Sequence, residues 1–142
     1  MNKDKVLALF EDANFIKKLG VKALEVEKGF MKTSLVVQPF HLQQHNFIHA
    51  AVIAALADHT AGAAATTLIN DDQEVLTIEF KINFLKPAIG NTIYCESKVL
   101  RGGKTIIVAE SNVYSDITGQ EKLLAKAIVT LTPVTQNKLK IS

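Results

Sequence analysis

The run from Ile48 to Ile69 constrains this chain more than any other feature. It is Ala-rich, holds a single Gly and no Pro, and stops at Asn70-Asp71-Asp72, a pattern that predicts one long helix. Apolar residues lie nearly all round it, so most of its surface must be buried. Immediately afterwards the hydrophobic period changes from about 3.6 to 2. Leu76, Ile78, Phe80, Ile82 and Phe84 alternate with Thr77, Glu79, Lys81 and Asn83, as a strand with one apolar and one polar face does.

The remaining segments supply the partners such a helix needs. Val6 to Leu19 predicts one or two short helices stopped by Gly20, and Val21–Lys28 and Phe30–Gln38 predict strands joined through Gly29. A polar loop spans Pro39 to Asn46. After the turn Pro87–Asn91, three more strands are expected over Thr92–Leu100, Lys104–Ser115 and Lys122–Pro133. Gly102-Gly103 suits a two-residue hairpin with positive φ, and Asp116-Ile117-Thr118-Gly119 the next turn. Hairpin-length connections make these strands antiparallel. The expected fold is α+β: an antiparallel curved sheet wrapped around one long central helix, with short N-terminal helices.

Composition narrows the function classes. The 142 residues show no repeat, linker or biased segment, so 1–142 is expected to form one domain. A net charge of +2, 6% aromatic residues and no Trp argue against a nucleic-acid partner. Cys95 is the single cysteine, which excludes an intrachain disulfide and a Cys-rich zinc site. His41, His45 and His59 lack an acidic ligand at matching spacing, so no metal is expected. The apolar stretch at Val6–Phe10 is too short for a secretory signal, and Ile48–Ile69 carries Asp58 and two His, a poor membrane span. A cytoplasmic protein is expected.

Asp58 is the informative residue of the helix. At 100° per residue its face holds Ala51, Ala54, Ala61, Gly62 and Ala65, while Ile48, Val52, Leu56 and Ala63 lie opposite, with His59 among them. A carboxylate on a stripe of small side chains faces solvent, is tied to a neighbouring backbone as a structural bridge, or is a general base or nucleophile lining a pocket. His49 stands at the helix start, where backbone N–H groups lack intrahelical partners. The amides of Ala50 and Ala51 are candidates to hold an oxyanion, and His49 either caps the helix or takes part beside them. Nine residues separate His49 from Asp58, about 13.5 Å along the axis and half a turn out of phase. One helix cannot bring both ends to one reacting carbon. Two antiparallel copies can, so a catalytic site here requires at least a dimer.

Gln43-Gln44-His45-Asn46-Phe47-Ile48-His49-Ala50-Ala51-Val52, followed by Leu56-Ala57-Asp58, resembles the signature of hotdog-fold acyl-CoA thioesterases of the phenylacetyl-CoA thioesterase group. Leu76 to Ala88 with Gly90 looks like that group's next strand, and the resemblance covers roughly Val21 to Val134. It implies a hotdog fold and hydrolysis of an acyl or aryl-acyl thioester of coenzyme A, with no further cofactor. By this resemblance Asp58 takes the base or nucleophile position, Ala50 and Ala51 the oxyanion hole with His49 beside it, and Gln43 the place of an Asn that orients water or thioester. Asn46 stands where Gly is frequent, a mild change because Asn tolerates left-handed φ. Ala50-Ala51 replaces Gly-Gly and narrows the approach.

The coenzyme's phosphates require cations. Arg101 and Lys104 are the first candidates, with Lys81 and Lys86 behind them; Lys81 and Asn83 alternatively serve an interface. Thr60 and Thr66 either line the cavity or bond to their own helix carbonyls. The resemblance also implies a homodimer paired along Leu76–Leu85, often doubled to a tetramer. Three other readings stay open at this point: a non-catalytic acyl-thioester binding module in the same groove, a hydroxyacyl-thioester dehydratase, whose motif is absent, and a purely structural dimer.

Overall fold

The computed structural model describes residues 1–117 and 119–140. Two short helices, α1 (Lys3–Asp12) and α2 (Asn14–Leu19), open the chain. Asn2 caps α1 through its side chain, and Gly20 ends α2 at φ 83, a left-handed geometry that glycine adopts without penalty. Strands β1 (Val21–Glu27) and β2 (Phe30–Val36) form a hairpin. The central helix α3 follows (Ala50–Thr66), then β3 (Gln73–Phe84), β4 (Thr92–Gly102), β5 (Ile107–Ile117) and β6 (Gln120–Thr135). A single turn, α4 (Gln136–Leu139), was not expected from the sequence.

The six strands make one antiparallel sheet in the order β1-β2-β4-β5-β6-β3. Helix α3 packs against all six, the curved-sheet-around-a-helix arrangement of the hotdog fold. Ile53, Leu56, Ala57 and Ala61 of α3 are buried against Met31, Leu35, Ile93, Ala109, Val113 and Val129 of the sheet. Truncating so enclosed a side chain as Leu56 to Ala costs about 2–5 kcal/mol.

A seam of hydroxyls runs through this otherwise apolar interface. Thr33 and Thr60 share a hydrogen bond of 2.8 Å, Ser97 and Ser111 one of 2.6 Å, and Ser111 donates to the carbonyl of Ala57 at 2.8 Å. Thr60 also donates to Leu56 O, the i−4 bond expected of a helical threonine. The seam fixes the rotation of α3 about its axis one residue from Asp58.

Several boundaries differ from expectation, each for a local reason. The helix begins at Ala50 because Ile48 is extended, bridging to Leu42 and donating its N–H to Ala88 O at 2.9 Å. It ends at Thr66 because Thr67 turns its hydroxyl back to Ala64 O. Gly102 is the last residue of β4, and neither it nor Gly103 has positive φ. The connection is a wider loop closed by Gly103 N–H to Ile106 O at 2.9 Å, and a Cβ on Gly103 would collide with that carbonyl oxygen. Close approach, rather than a left-handed turn, selects this glycine. Of the expected turn Asp116–Gly119, Thr118 lies outside the described residues; Ile141 and Ser142 of the expected 1–142 domain do also.

The small-residue face of α3 is divided. Ala61 and Ala65 are fully buried in the chain's own core, whereas Ala51 is exposed and Ala54, Asp58 and Gly62 are partly open. The open stripe is therefore narrower than helical periodicity alone suggests.

Candidate active site

Asp58 sits half-buried on α3 and accepts a hydrogen bond of 2.8 Å from Thr77 Oγ1 on β3. The alternation in the sequence assigns Thr77 to the polar face with Glu79, Lys81 and Asn83. A β-bulge at Ile78 changes this: Thr77 pairs with buried Leu131, while Glu79 pairs with Thr130 on the outer face. One extra residue in the strand thus turns Thr77 toward the helix. Thr77 is the functional candidate that the sequence pattern missed.

Asp58 and Thr77 border a cavity of about 220 Å³ whose other walls are Val6, Leu9 and Phe10 of α1, His59, Gly62, Ala63 and Thr66 of α3, Glu74 and Val75 of β3, and Leu131. His59 packs on the Phe10 ring with centroids 4.6 Å apart, and its Nε2 lies 3.4 Å from the Phe10 carbonyl. Burial holds its pKa below the ordinary value, against the opposing pull of that carbonyl and of Asp58. Thr66 Oγ1 bonds to Gly62 O within its own helix while also lining the cavity.

The other end of α3 carries a second cavity, of about 460 Å³, bordered by Gln43, Phe47, His49, Ala50 and Ile53 together with Phe84, Lys86 and Pro87. His49 is the N-cap: its Nδ1 accepts the N–H of Ala51 at 2.9 Å. That bond engages one of the two amides expected to serve as an oxyanion hole. The N–H of Ala50, in the first turn, has no intrahelical acceptor. Gln43 braces the loop, its carboxamide oxygen accepting the N–H of His45 and its carbonyl that of Asn46. Asn46 has φ 64, the left-handed conformation expected of it, and faces a different cavity with Leu42, Gly90 and Asn91.

The structure thus gathers the expected residues into two separate groups on one chain, Asp58 in one and Gln43, His49 and Ala50 in the other. Lys81 and Asn83 belong to neither. They are exposed on the outer face of the sheet, opposite Ile128 and Lys126. Arg101 is exposed opposite Val108, and Lys104 is exposed in the loop after β4. The cations beside a cavity at that end are Lys28 and Lys98, which the sequence did not single out. Among the described residues no group of three or more His, Cys, Asp or Glu is placed to hold a metal ion, and no helix is long and apolar enough to cross a membrane.

Comparison with known proteins gives these groups a context. Residues 45–122 match the family model of the thioesterase superfamily, a range that includes His49, Ala50, Asp58 and Thr77. SSO2140 of Saccharolobus solfataricus, a provisionally assigned esterase, is 38% identical over 121 residues, 84% of each chain. A 1,4-dihydroxy-2-naphthoyl-CoA hydrolase of Listeria monocytogenes is 26% identical over 113 residues, 80% of this chain and 89% of the relative. The crystal structure of a thioesterase family protein from Silicibacter pomeroyi superposes with a TM-score of 0.91 at 30% identity, covering 93% of this chain and 97% of that one. The chain belongs to the thioesterase superfamily.

Proposed function

We propose that this thioester hydrolase cleaves acyl-CoA at a site built by two chains, each contributing a different end of α3. One observation carries the proposal. The two half-sites border the same edge strand at opposite ends: Glu74, Val75 and Thr77 beside Asp58, and Phe84, Lys86 and Pro87 beside His49. Antiparallel pairing of two β3 copies about an axis through Lys81, with the bulged Ile78 of each copy skipped, sets Glu74 opposite the partner's Pro87, Val75 opposite Lys86 and Thr77 opposite Phe84. All three residues of one wall then meet all three of the other.

The strand has the properties such pairing needs. Among the described strands β3 pairs with β6 alone, at the edge of the sheet, and Leu76, Ile78, Phe80 and Phe84 are between 40% and 54% exposed along it. A long apolar edge of this kind is a liability unless it is covered. The small open stripe of Ala51, Ala54 and Gly62 lets the partner's helix approach closely.

In the composite site the thioester carbonyl oxygen accepts from the Ala50 amide of one chain. Asp58 of the other chain, with Oδ1 held by Thr77, takes a proton from water through Oδ2. The hydroxide adds to the carbonyl carbon, the C–S bond breaks, and the leaving thiolate takes up the proton that Asp58 removed from water, which restores the carboxylate. Thiolate departs readily, so a carboxylate without a Ser-His pair suffices for this chemistry. The Ala50 amide acts where negative charge develops, which is where a preorganised donor contributes most. Lys86 is the cation already beside the His49 half-site, and the coenzyme's phosphates are the anions it suits.

The experiment is free-thiol release over a panel of acyl-CoA donors, comparing the protein with Asp58→Asn. Release by the unmodified protein and a loss on the order of 10²–10⁴ in the variant is the expected result. Equal release by both removes Asp58 from the reaction, and binding without release makes the groove an acyl-thioester receptor.

A further inference from the structure

The start of α3 hangs on a histidine that the hydrolysis steps leave unused. His41 is fully buried at the end of the short 3-10 turn Pro39–His41, in the loop between β2 and α3. Its Nδ1 accepts the N–H of Gln38 at 2.9 Å, and its own N–H donates to the Gln38 carbonyl at 3.0 Å. Its carbonyl accepts the N–H of His49 at 2.8 Å, and His49 is the residue that caps α3. Further into the loop Leu42 bridges to Ile48, and Gln43 N–H donates to the Phe47 carbonyl at 2.8 Å. The loop therefore folds back on itself as a short ladder, and the rung nearest the helix joins His41 to His49.

Two features set this ring apart from ordinary core packing. Because Nδ1 accepts an N–H, the ring proton sits on Nε2, and Nε2 has no hydrogen-bond partner among the described residues. A buried donor left unmet is a cost that an apolar side chain of similar volume would avoid. What the imidazole supplies in return is the acceptor for Gln38. The second feature is adjacency: the His49 N–H held by His41 is one residue from the Ala50 N–H, so any shift of the His41 carbonyl passes directly to that amide. We infer that His41 is a positioning residue of the hydrolase. By holding the Gln38 amide on Nδ1 it locks the turn whose last carbonyl fixes His49, and so aims the Ala50 N–H at the thioester oxygen. This inference rests on the reading of Ala50 as the oxyanion donor. Such a donor must be held within about 0.5 Å of its productive place by groups that are themselves locked, and its misplacement is felt in the transition state more than in substrate binding.

The test is kcat and KM for an acyl-CoA that the unmodified protein cleaves, with urea midpoints, in His41→Leu, His41→Gln and His41→Asn, each alone and combined with Ala50→Pro. Leu offers no acceptor and Gln places its oxygen near the Nε2 position, whereas Asn keeps an acceptor near Nδ1. His41→Leu and His41→Gln should lower kcat about tenfold or more with KM within about threefold, and His41→Asn should recover most of the rate. In the Ala50→Pro background the same substitutions should cost little further, because two residues acting through one amide do not add. A purely structural role would lower the urea midpoint and leave kcat of the folded protein unchanged, or would multiply in full with the Ala50→Pro loss. Either outcome overturns the inference and leaves the hydrolase intact. If His41→Leu and His41→Gln do not fold, His41→Asn decides: kcat within about threefold supports the inference, and a loss of about tenfold overturns it. No thiol release from any donor by the unmodified protein overturns the inference together with the hydrolase reading.

Discussion

Thr77 on the edge strand donates its hydroxyl to Oδ1 of Asp58 on the central helix at 2.8 Å. The bond orients one carboxylate oxygen, and it links the two elements whose junction borders the cavity beside Asp58. Thr77→Ala should lower kcat by about tenfold, in line with a hydrogen bond to a charged group that is partly screened by water. Thr77→Ser should restore most of the rate. A drop in melting temperature with kcat unchanged would make the bond structural only.

Ala50 offers a clean probe of the other half-site. Proline is well tolerated at the first helical position, and His49 already has the extended backbone a following proline requires, with φ −61 and ψ 136. Ala50→Pro therefore removes the N–H and little else. Its kcat should fall by roughly 10²–10³, the usual loss for one oxyanion donor, with an unfolding midpoint close to that of the unmodified protein.

His49 has a separable structural duty. Its Nδ1 satisfies the Ala51 amide at 2.9 Å, and His49→Ala should cost about 1 kcal/mol in urea unfolding through loss of the cap. His49→Asn should recover that stability. Unchanged stability in His49→Ala would show that water serves the amide equally well.

Acid should weaken the fold through His59. Its folded pKa lies below the ordinary 6.5, chiefly because burial disfavours the charged ring. Below 6.5 the unfolded chain gains a proton that the folded chain does not, so stability falls as pH drops from that value toward the folded pKa, and changes no further below it. Urea midpoints between about pH 7 and pH 5 should decline for the unmodified protein and decline less for His59→Gln. Parallel declines would assign the effect to other groups.

Cys95 should be inert. It is fully buried, and burial pushes its thiol up to about 11, outweighing the hydroxyls of Ser97, Thr60 and Ser111. A thiol reagent at neutral pH should label it only as fast as the chain unfolds. Rapid labelling under native conditions would mean that the hydroxyl seam between α3 and the sheet opens.

The sequence carried the fold plainly because helix and sheet each announce themselves by period, and the change between them falls within a few residues of Asp71. It singled out Asp58 and His49 as candidates for a related reason: each is a polar group in an apolar run. Thr77 was hidden because its orientation depends on a bulge at Ile78, and a bulge inserts a residue without altering which residue types alternate. The engagement of the Ala51 amide was equally hidden, since a histidine before a helix caps through a rotamer that spacing does not specify. Lys28 and Lys98 come together through strand pairing far apart in sequence, while Arg101 and Lys104, adjacent to a glycine pair, drew attention by position alone.

Subunit mixing tests the shared site most directly. Asp58→Asn and Ala50→Pro each disable a different half-site, and each alone should be nearly inactive. Denatured together in equal amounts and refolded, half of the dimers should be mixed, and each mixed dimer regains one intact site of two, about a quarter of the unmodified activity overall. That recovery is the predicted result. Mixed dimers that form and stay inactive would show that one chain supplies both ends of its own site, and the composite account would be wrong.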